Sequence, residues 1–359
     1  MWPDDRIQQM LGIDLPIIQA PMAGAGLANL AAAVAEAGAL GSLPCALLDP
    51  ERLRAEHGAF RQRTDRPLNL NFFCHQPPVP DNRREAAWRN RLQPYYTEFG
   101  LNPAAAPSAP SRMPFDAEFC ALVEELRPQV VSFHFGLPER RLMQRVAATG
   151  ARILSSATTV DEARWLEAAG VDAIIAQGVE AGGHRGMFRA GSIATQIGTF
   201  SLVPQIVDAV RVPVIAAGGI ADGRGIAAAF MLGAAAVQIG TAYLFCPEAT
   251  IGDAHRRALG EGHARETALT NVFTGRPARG IVNRVMREIG PIAPDTPDFP
   301  LAGGALAPLR AATEPGGSDA FMPLWSGQSA GLCRPMPAAD LTRRLADQAL
   351  GLLAARTET

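Results

Sequence analysis

The run Asp172-Ala-Ile-Ile-Ala-Gln-Gly-Val-Glu-Ala-Gly-Gly-His-Arg-Gly186 is the part of the chain around which the other elements are placed. Its first residues are short and apolar, which is typical of a buried parallel strand. The strand then breaks into glycines, which is typical of a loop, and His184 stands alone among them. The run therefore predicts a strand of an α/β protein that opens into a functional loop.

Strands and helices alternate on both sides of this run. Such alternation predicts a parallel sheet with right-handed crossovers, either doubly wound or closed as a (β/α)8 barrel. Eight strands favour the TIM barrel, in which the functional residues gather at the carboxyl ends of the strands. The predicted strands are 15–18, 40–42, 67–73, 130–133, 152–154, 173–176, 214–216 and 236–239.

Two segments depart from the alternation. Residues 74–112 are rich in proline, arginine and aromatic residues and are too long for an ordinary connection, so we predict an inserted excursion after the third strand. It would serve either as a lid or as an oligomer contact. Residues 246–359 have a Gly/Pro-rich middle and a predicted helix near 337–355, with no sign of a second core. We expect 1–245 to form the barrel and 246–359 to pack on it and complete its mouth.

Composition excludes several classes of function. A net charge of -2 over 359 residues gives no electrostatic reason to expect nucleic acid or a membrane surface as partner, and no apolar run is long enough to span a bilayer. The cysteines are scattered without a C-x-x-C pair, so we expect reduced thiols, no metal and a cytoplasmic protein. All basic residues are arginine, which excludes Schiff-base, pyridoxal phosphate and Walker-type chemistry.

Two consecutive turns have the character of a phosphate site. The first contains Gly218 and Gly219 after the seventh strand, and the second is formed by Gly240 and Thr241 after the eighth. Glycines let an anion approach backbone N–H groups, and these two loops form the phosphate site of many barrels. The alternative is that the glycines only make tight turns.

Amides and one histidine complete the predicted mouth. Asn71, Gln177 and Gln238 lie at or near strand ends, where the edge of a heteroaromatic ring such as isoalloxazine would satisfy them. An internal amide network is the alternative. His184 has the chemistry of a proton donor, acceptor or base, although it could simply hold the loop. His134 is a second candidate, and the other histidines are expected at the surface or in connections.

Seven segments in this order resemble the nitronate monooxygenases, formerly called 2-nitropropane dioxygenases. The resemblance covers nearly the whole chain. The segments are Gln19-Ala-Pro-Met22, Asn69-Leu-Asn-Phe-Phe73, Gln177-Gly-Val-Glu-Ala-Gly-Gly-His184, Ala217-Gly-Gly-Ile-Ala-Asp-Gly223, Gln238-Ile-Gly-Thr241, Phe273-Thr-Gly-Arg-Pro-Ala-Arg279 and Trp325-Ser-Gly-Gln328.

The resemblance implies an FMN-dependent barrel that uses O2 to oxidise alkyl nitronates, or nitroalkanes, to a carbonyl product and nitrite. Propionate 3-nitronate is an example of such a substrate. The resemblance is also compatible with a homodimer. His184 would face the substrate. The implied flavin-binding residues are Pro21, Met22, Asn71, Gln177, Gly182, Gly183, Gly218, Gly219, Gln238, Gly240, Thr241 and Gln328.

The substrate side departs from the family pattern. Relatives of the best-described bacterial type place tyrosines and a lysine around the substrate carboxylate, whereas this chain has three tyrosines and no lysine. An arginine could take that place. The alternatives are an NAD(P)H-dependent FMN enoyl-thioester reductase, a flavin-binding protein without turnover, and a flavin-free barrel acting on a sugar phosphate.

Overall fold

Eight parallel strands form one closed barrel in the computed structural model, which describes residues 1–102, 112–260, 264 and 266–355. The sheet order is β1-β9-β8-β6-β5-β4-β3-β2, and a parallel bridge between Ile18 and Leu40 joins its two ends. The barrel strands are β1 Ile17–Gln19, β2 Gly41–Pro44, β3 Leu68–Phe73, β4 Val130–His134, β5 Arg152–Ala157, β6 Ala173–Gln177, β8 Val214–Ala217 and β9 Ala236–Ile239.

The predicted (β/α)8 barrel is therefore confirmed, with all eight strands in place. The largest difference at a strand end is at β5, which was expected to stop at Leu154 and continues to Ala157. Strand β7 is not part of the barrel, so β8 and β9 are its seventh and eighth strands.

The barrel interior is filled by branched and small apolar side chains, as is usual for this architecture. Ile18, Leu154, Ile175 and Ile215 belong to this cluster, and helix α1 (Arg6–Leu11) adds Ile7 and Leu11 to it. A larger apolar layer lies between the strands and the outer helices. The packed interior leaves the opposite end of the barrel, where the strands end, for the functional residues.

The ring of outer helices is completed by the C-terminal segment. Helix α14 packs against both α9 and α2, and Leu341 and Leu345 join the main core. It thus takes the place of the eighth barrel helix. The ring consists of α2 Ala28–Glu36, α3 Pro50–Arg61, α5 Ala117–Leu126, α6 Arg140–Ala148, α7 Val160–Ala168, α8 Thr199–Ala209, α9 Gly223–Met231 and α14 Ala338–Ala354.

Outside the barrel lies a further apolar cluster, here called the second apolar cluster, which joins the excursion to the C-terminal segment. Helix α4 (Asn82–Glu98) packs against α13 (Ala302–Thr313). The Trp88 indole N–H donates to the carbonyl of Ala302 at 3.0 Å, and the Tyr96 hydroxyl donates to that of Ala305 at 2.6 Å. The excursion was expected to be either a lid or an oligomer contact. Part of it, residues 103–111, lies outside the described part of the chain, so both alternatives stay predictions.

A small antiparallel sheet carries the C-terminal segment to the barrel mouth. Strand β11 (Ala278–Ile281) pairs on one side with β10 (Thr267–Thr270) and on the other with β7 (Gly183–His184). The loop that follows β6 is therefore held by residues almost a hundred positions further along the chain. The remaining helices are α10 Thr241–Leu244, α11 Asp253–Gly260 and α12 Arg284–Ile289. Over the described residues, no helix is both long enough and apolar enough to cross a membrane.

Candidate active site

A cavity of about 380 Å³ opens at the carboxyl ends of the barrel strands. It brings together twelve of the thirteen site residues that the sequence predicts. These are Pro21, Met22, Asn71, Gln177, Gly182, Gly183, His184, Gly218, Gly219, Gln238, Gly240 and Thr241. Most of them end or directly follow β1, β3, β6, β8 and β9, so the barrel topology brings them together. Gly183 and His184 are positioned in addition by the pairing of β7 with β11.

Gln328 is the predicted residue that the structure does not bring to the cavity. Its side chain is exposed, and its backbone N–H donates to the carbonyl of Glu180 at 3.0 Å. Its neighbours Gly327 and Ser329 line the cavity instead. The tryptophan segment thus reaches the mouth, but through Gly327 and Ser329 on either side of Gln328.

The two glycine turns present free backbone donors. Gly218 and Gly219 have φ angles of 108° and 72°, which other residues rarely adopt. Among the described residues, no backbone acceptor takes the N–H of Gly219 or of Thr241. Gly182 is needed for a different reason, since a Cβ atom there would lie 2.5 Å from the backbone nitrogen of Gly327. These turns can accept an anionic group from the cavity.

Glu180 is an acidic residue of the cavity lining that we did not single out from the sequence. Both of its carboxylate oxygens accept from the backbone N–H of Thr199 at 2.9 Å, and one also accepts from the Thr199 hydroxyl at 2.9 Å. Thr199 is the first residue of α8, where the helix field favours a negative charge. The Glu180 carboxylate therefore connects the glycine loop to the first turn of α8 through these hydrogen bonds.

The three amides have different surroundings. Both polar atoms of the Gln177 side chain have protein partners. Its amide nitrogen donates to the His184 carbonyl at 3.0 Å, and its oxygen accepts from the Gly186 N–H at 2.7 Å. Asn71 donates to the Ser132 hydroxyl at 2.9 Å. The side-chain oxygen of Gln238 is buried and has no hydrogen-bond partner in the described part of the chain. Because a buried acceptor without a donor is costly, Gln238 is the amide that most clearly requires a ligand N–H.

His184 lies in β7, with its ring in an aromatic enclosure. Its Nε2 is 2.9 Å from the hydroxyl oxygen of Thr274, and its ring centroid is 5.3 Å from Phe299 and 5.4 Å from Trp325. Burial lowers the pKa of His184 well below its usual value, and the charge of Arg112 lowers it further. The imidazole is therefore neutral at physiological pH.

His134 contacts the backbone of His184. Its Nε2 is 3.2 Å from the His184 carbonyl, and its Nδ1 is 3.1 Å from the Ser156 hydroxyl. Since a carbonyl only accepts, Nε2 carries the proton and Nδ1 accepts from Ser156. Burial lowers the pKa of His134 to about 3. Both ring nitrogens are occupied, so His134 positions the backbone of His184.

Two further histidines are buried. His75 lies in the connection between β3 and α4, as one of the two expectations has it, whereas His255 lies in helix α11 and contradicts both. His75 packs edge-on against Phe299 with a centroid distance of 4.7 Å. The Nε2 of His255 donates to the carbonyl of Trp325 at 3.1 Å. Isolated histidines in an irregular sequence gave no periodicity from which burial could be inferred. His263 lies outside the described residues.

These buried histidines predict a loss of stability in mild acid. Burial lowers the pKa of His75 and of His255 to about 4, as it lowers that of His134 to about 3. Between about pH 6.5 and 4 the unfolded chain binds more protons than the native one. The free energy of unfolding therefore decreases as the pH is lowered, by up to about 1.4 kcal/mol per pH unit for each histidine. Urea denaturation at pH 7.5, 6.5 and 5.5 measures this slope.

A matched variant isolates one of these contributions. In His255→Gln the side-chain amide can still donate to Trp325, but it does not titrate. We expect a shallower slope than in the parent protein. An identical slope in the two proteins would show that His255 is not held neutral by the fold.

Arg185 was not singled out from the sequence, although it follows His184 directly. It is fully buried, and its guanidinium donates to the carbonyls of Gly178 and Gln177 at 2.7 and 2.5 Å and to the Gln196 side chain at 2.9 Å. Burial lowers its pKa to about 10. This arginine ties the loop back to the end of β6.

The tyrosines do not take part in the cavity. Tyr95 and Tyr96 lie in the second apolar cluster, and Tyr243 is fully buried with its hydroxyl 2.8 Å from that of Thr342. The structure thus agrees with the sequence in leaving the substrate side without tyrosine or lysine. Groups of three or more possible metal ligands are likewise absent from the described residues.

A closed barrel with polar residues and backbone N–H groups gathered after its strands has the architecture of the barrel enzymes, which place their active site at this end. The neutral histidine beside the glycine turns adds a group that can move a proton. Fold and site together define an enzyme of this class.

Comparison with known proteins places the chain more narrowly. The nitronate monooxygenase family model matches residues 4–348. The chain is 44% identical over 355 residues to a nitronate monooxygenase of Pseudomonas aeruginosa, covering 97% of this chain and 99% of the relative. It is also 44% identical over 339 residues to one of Paraburkholderia phytofirmans, covering 94% and 92%.

A solved structure gives the same result. A nitroalkane oxidase from Streptomyces ansochromogenes superposes with a TM-score of 0.88 at 38% identity, covering 98% of this chain and 99% of that one. The chain belongs to the nitronate monooxygenase family, a family of flavin-dependent oxidoreductases.

Proposed function

We propose that the protein binds FMN and uses O2 to oxidise alkyl nitronates, with nitroalkanes as further substrates, to a carbonyl compound and nitrite. One observation carries the proposal: a single cavity joins free N–H turns, the unpartnered oxygen of Gln238 and the neutral imidazole of His184. The name of the Streptomyces relative, a nitroalkane oxidase, supports this substrate class.

The residues present fit FMN. The N–H groups of Gly219 and Thr241 suit its phosphate, and the Gln238 oxygen suits the N–H of the isoalloxazine ring. Gly183 adds room, since a Cβ atom there would meet nothing within 4 Å. When bound, the flavin supplies the electron acceptor for the substrate and the route to O2.

His184 has two different tasks for the two substrates. A nitronate is already an electron-rich anion, so it needs only to be oriented. A nitroalkane must first lose its α-proton, and His184 is the group that takes it. Its Nε2 is bonded to Thr274, while Nδ1 has no hydrogen-bond partner among the described residues. Nδ1 is therefore the atom that receives the proton.

Thr274 holds His184 in the tautomer that this step requires. The Thr274 hydroxyl donates to the Arg276 carbonyl at 3.4 Å, so its oxygen is left to accept from Nε2 of His184. With the hydrogen on Nε2, the lone pair of the ring is on Nδ1. The rings of Phe73, Phe135, Phe299 and Trp325 pack around the imidazole.

Nitrite release under air tests the proposal. The FMN-loaded protein is mixed with propionate 3-nitronate, and nitrite is compared with that from an equal concentration of free FMN. We expect release well above the free-flavin control. Release no greater than the control would favour a flavin-binding protein without turnover, and a colourless protein that does not take up FMN would favour a sugar-phosphate barrel.

A further inference from the structure

The cavity mouth carries positive charge that the protein does not neutralise. Arg112 lines the cavity and faces the Phe299 ring. Arg276 does not line the cavity itself but packs on the Phe135 ring, whose centroid is 5.5 Å from that of Phe299. Neither guanidinium is within ion-pair distance of a carboxylate of the described residues, although sixteen other pairs form elsewhere. Glu180, the acidic residue of the lining, is bound to Thr199. Unpaired, partly desolvated charge is costly, so a ligand is expected to compensate it.

Arg276 is held in one place. Its guanidinium lies 4.0 Å from the centroid of the Phe135 ring and donates to the Met187 carbonyl at 2.6 Å. Its Nε is buried and finds no hydrogen-bond partner among the residues that the structure describes. Burial lowers its pKa to about 10, with only a partial offset from Glu162, so it remains charged at physiological pH. It supplies a fixed positive charge with one unused donor.

Arg112 is the freer of the two. Its guanidinium lies 5.6 Å from the centroid of the Phe299 ring and makes no hydrogen bond to a described residue. The ring of His184 is 5.3 Å from the same phenylalanine. The Arg112 guanidinium and the His184 ring therefore both lie close to the Phe299 ring, and one small molecule can contact both of them. A substrate whose reacting carbon is at His184 can place a second group at Arg112.

We propose that Arg112, with Arg276 beside it, is the specificity-determining anion site of this chain, and that Arg112 binds a carboxylate at the far end of the nitronate. This assignment rests on the proposed function. A planar guanidinium binds a carboxylate through two parallel hydrogen bonds, which a neutral alkyl tail cannot replace.

Two nitronates of similar shape test the assignment. Propionate 3-nitronate carries the carboxylate, and 3-methylbutyl-1-nitronate has an isopropyl group in its place. In Arg112→Gln we expect kcat/KM for the carboxylate substrate to fall by about 10- to 100-fold, mainly through KM, as for loss of a charged hydrogen-bonding partner. The value for the alkyl substrate should stay within about twofold, because that tail makes no ionic contact.

Controls separate charge from structure. Arg112→Lys keeps the charge but loses the planar fork, so it should recover part of the lost affinity. Arg54→Gln removes an exposed arginine paired with Glu125 on the outer surface and should behave as the parent protein. Equal losses for both nitronates in Arg112→Gln, or no loss for either, would overturn the assignment.

Binding of succinate provides a readout without turnover. Succinate has the shape and charge of propionate 3-nitronate but does not react, and its dissociation constant can be measured on the FMN-loaded protein by calorimetry. We expect it to rise by about 10- to 100-fold in Arg112→Gln. If no nitronate is oxidised but succinate still depends on Arg112, the proposed function fails and the anion site stands. If nitronates are oxidised and succinate binding is unchanged, the anion site fails alone.

Discussion

Replacement of His184 by asparagine is expected to lower the rate of nitroalkane oxidation by about 10²- to 10⁴-fold, the usual contribution of a general base. Oxidation of the corresponding nitronate should fall by less than about tenfold, because the proton has already been lost. Asparagine keeps a polar side chain at the position but cannot accept the proton. The difference between the two substrates, measured as kcat/KM, is the quantity that tests the base assignment.

His57→Asn is the control for the His184 variant. It changes a half-buried histidine on α3 that does not line the cavity and should leave both rates close to those of the parent. If His184→Asn slowed both substrates by the same factor, its role would be to orient the substrate or hold the flavin, and the base assignment would be wrong.

Arg185→Met is expected to cost about 3 to 4 kcal/mol in the free energy of unfolding. Methionine fills much of the volume but leaves the Gln177 carbonyl and the Gln196 oxygen without the donor that Arg185 supplies, and each such loss typically costs about 1 to 3 kcal/mol. The Gly178 carbonyl loses the Arg185 donor but keeps the N–H of Ala181. Because these acceptors lie in the loop after β6, the variant should also bind FMN more weakly. Urea denaturation with and without FMN separates the two effects.

Arg189→Met is the matched control for this variant. Arg189 is exposed, four residues further along, with its guanidinium 5.8 Å from the centroid of the Trp165 ring. A surface change of this kind is usually worth less than about 0.5 kcal/mol. Similar losses in the two variants would mean that Arg185 stabilises the fold no more than a surface side chain does.

Most of the barrel could be predicted because its elements have local signatures. The apolar runs at β6 and β9 end in glycines or amides, and the barrel topology then brings Gln177, Gly219 and Gln238 to one mouth without further information. The helices of the outer ring begin with ordinary signals, as at Asp49, whose carboxylate caps α3. Local periodicity and one topological rule were enough for these parts.

The parts that were missed depend on contacts distant in sequence. Helix α4 has Trp88, Leu92 and Tyr96 at helical spacing, but Pro94 and the surrounding arginines obscured it, since proline is rare inside a helix. Its partner α13 lies more than two hundred residues away. Gln328 was placed at the cavity by resemblance, whereas the local turn directs its side chain to solvent.

The arginines of the mouth show the same limit. Arg112 and Arg276 are ordinary charged residues in the sequence, and only the fold shows that no described carboxylate faces them. The absence of lysine indicated that another cation was needed, but the sequence could not indicate which of 33 arginines would serve. Burial and pairing are properties of the assembled mouth.

Anaerobic mixing is the most direct test of the proposed function. The FMN-loaded protein is mixed without O2, in separate experiments, with propionate 3-nitronate and with NADH or NADPH, while the long-wavelength absorption of the flavin is followed. We predict rapid bleaching by the nitronate and none by the nicotinamides. Rapid bleaching by NADH or NADPH, with no response to the nitronate, would contradict the account and favour an enoyl-thioester reductase.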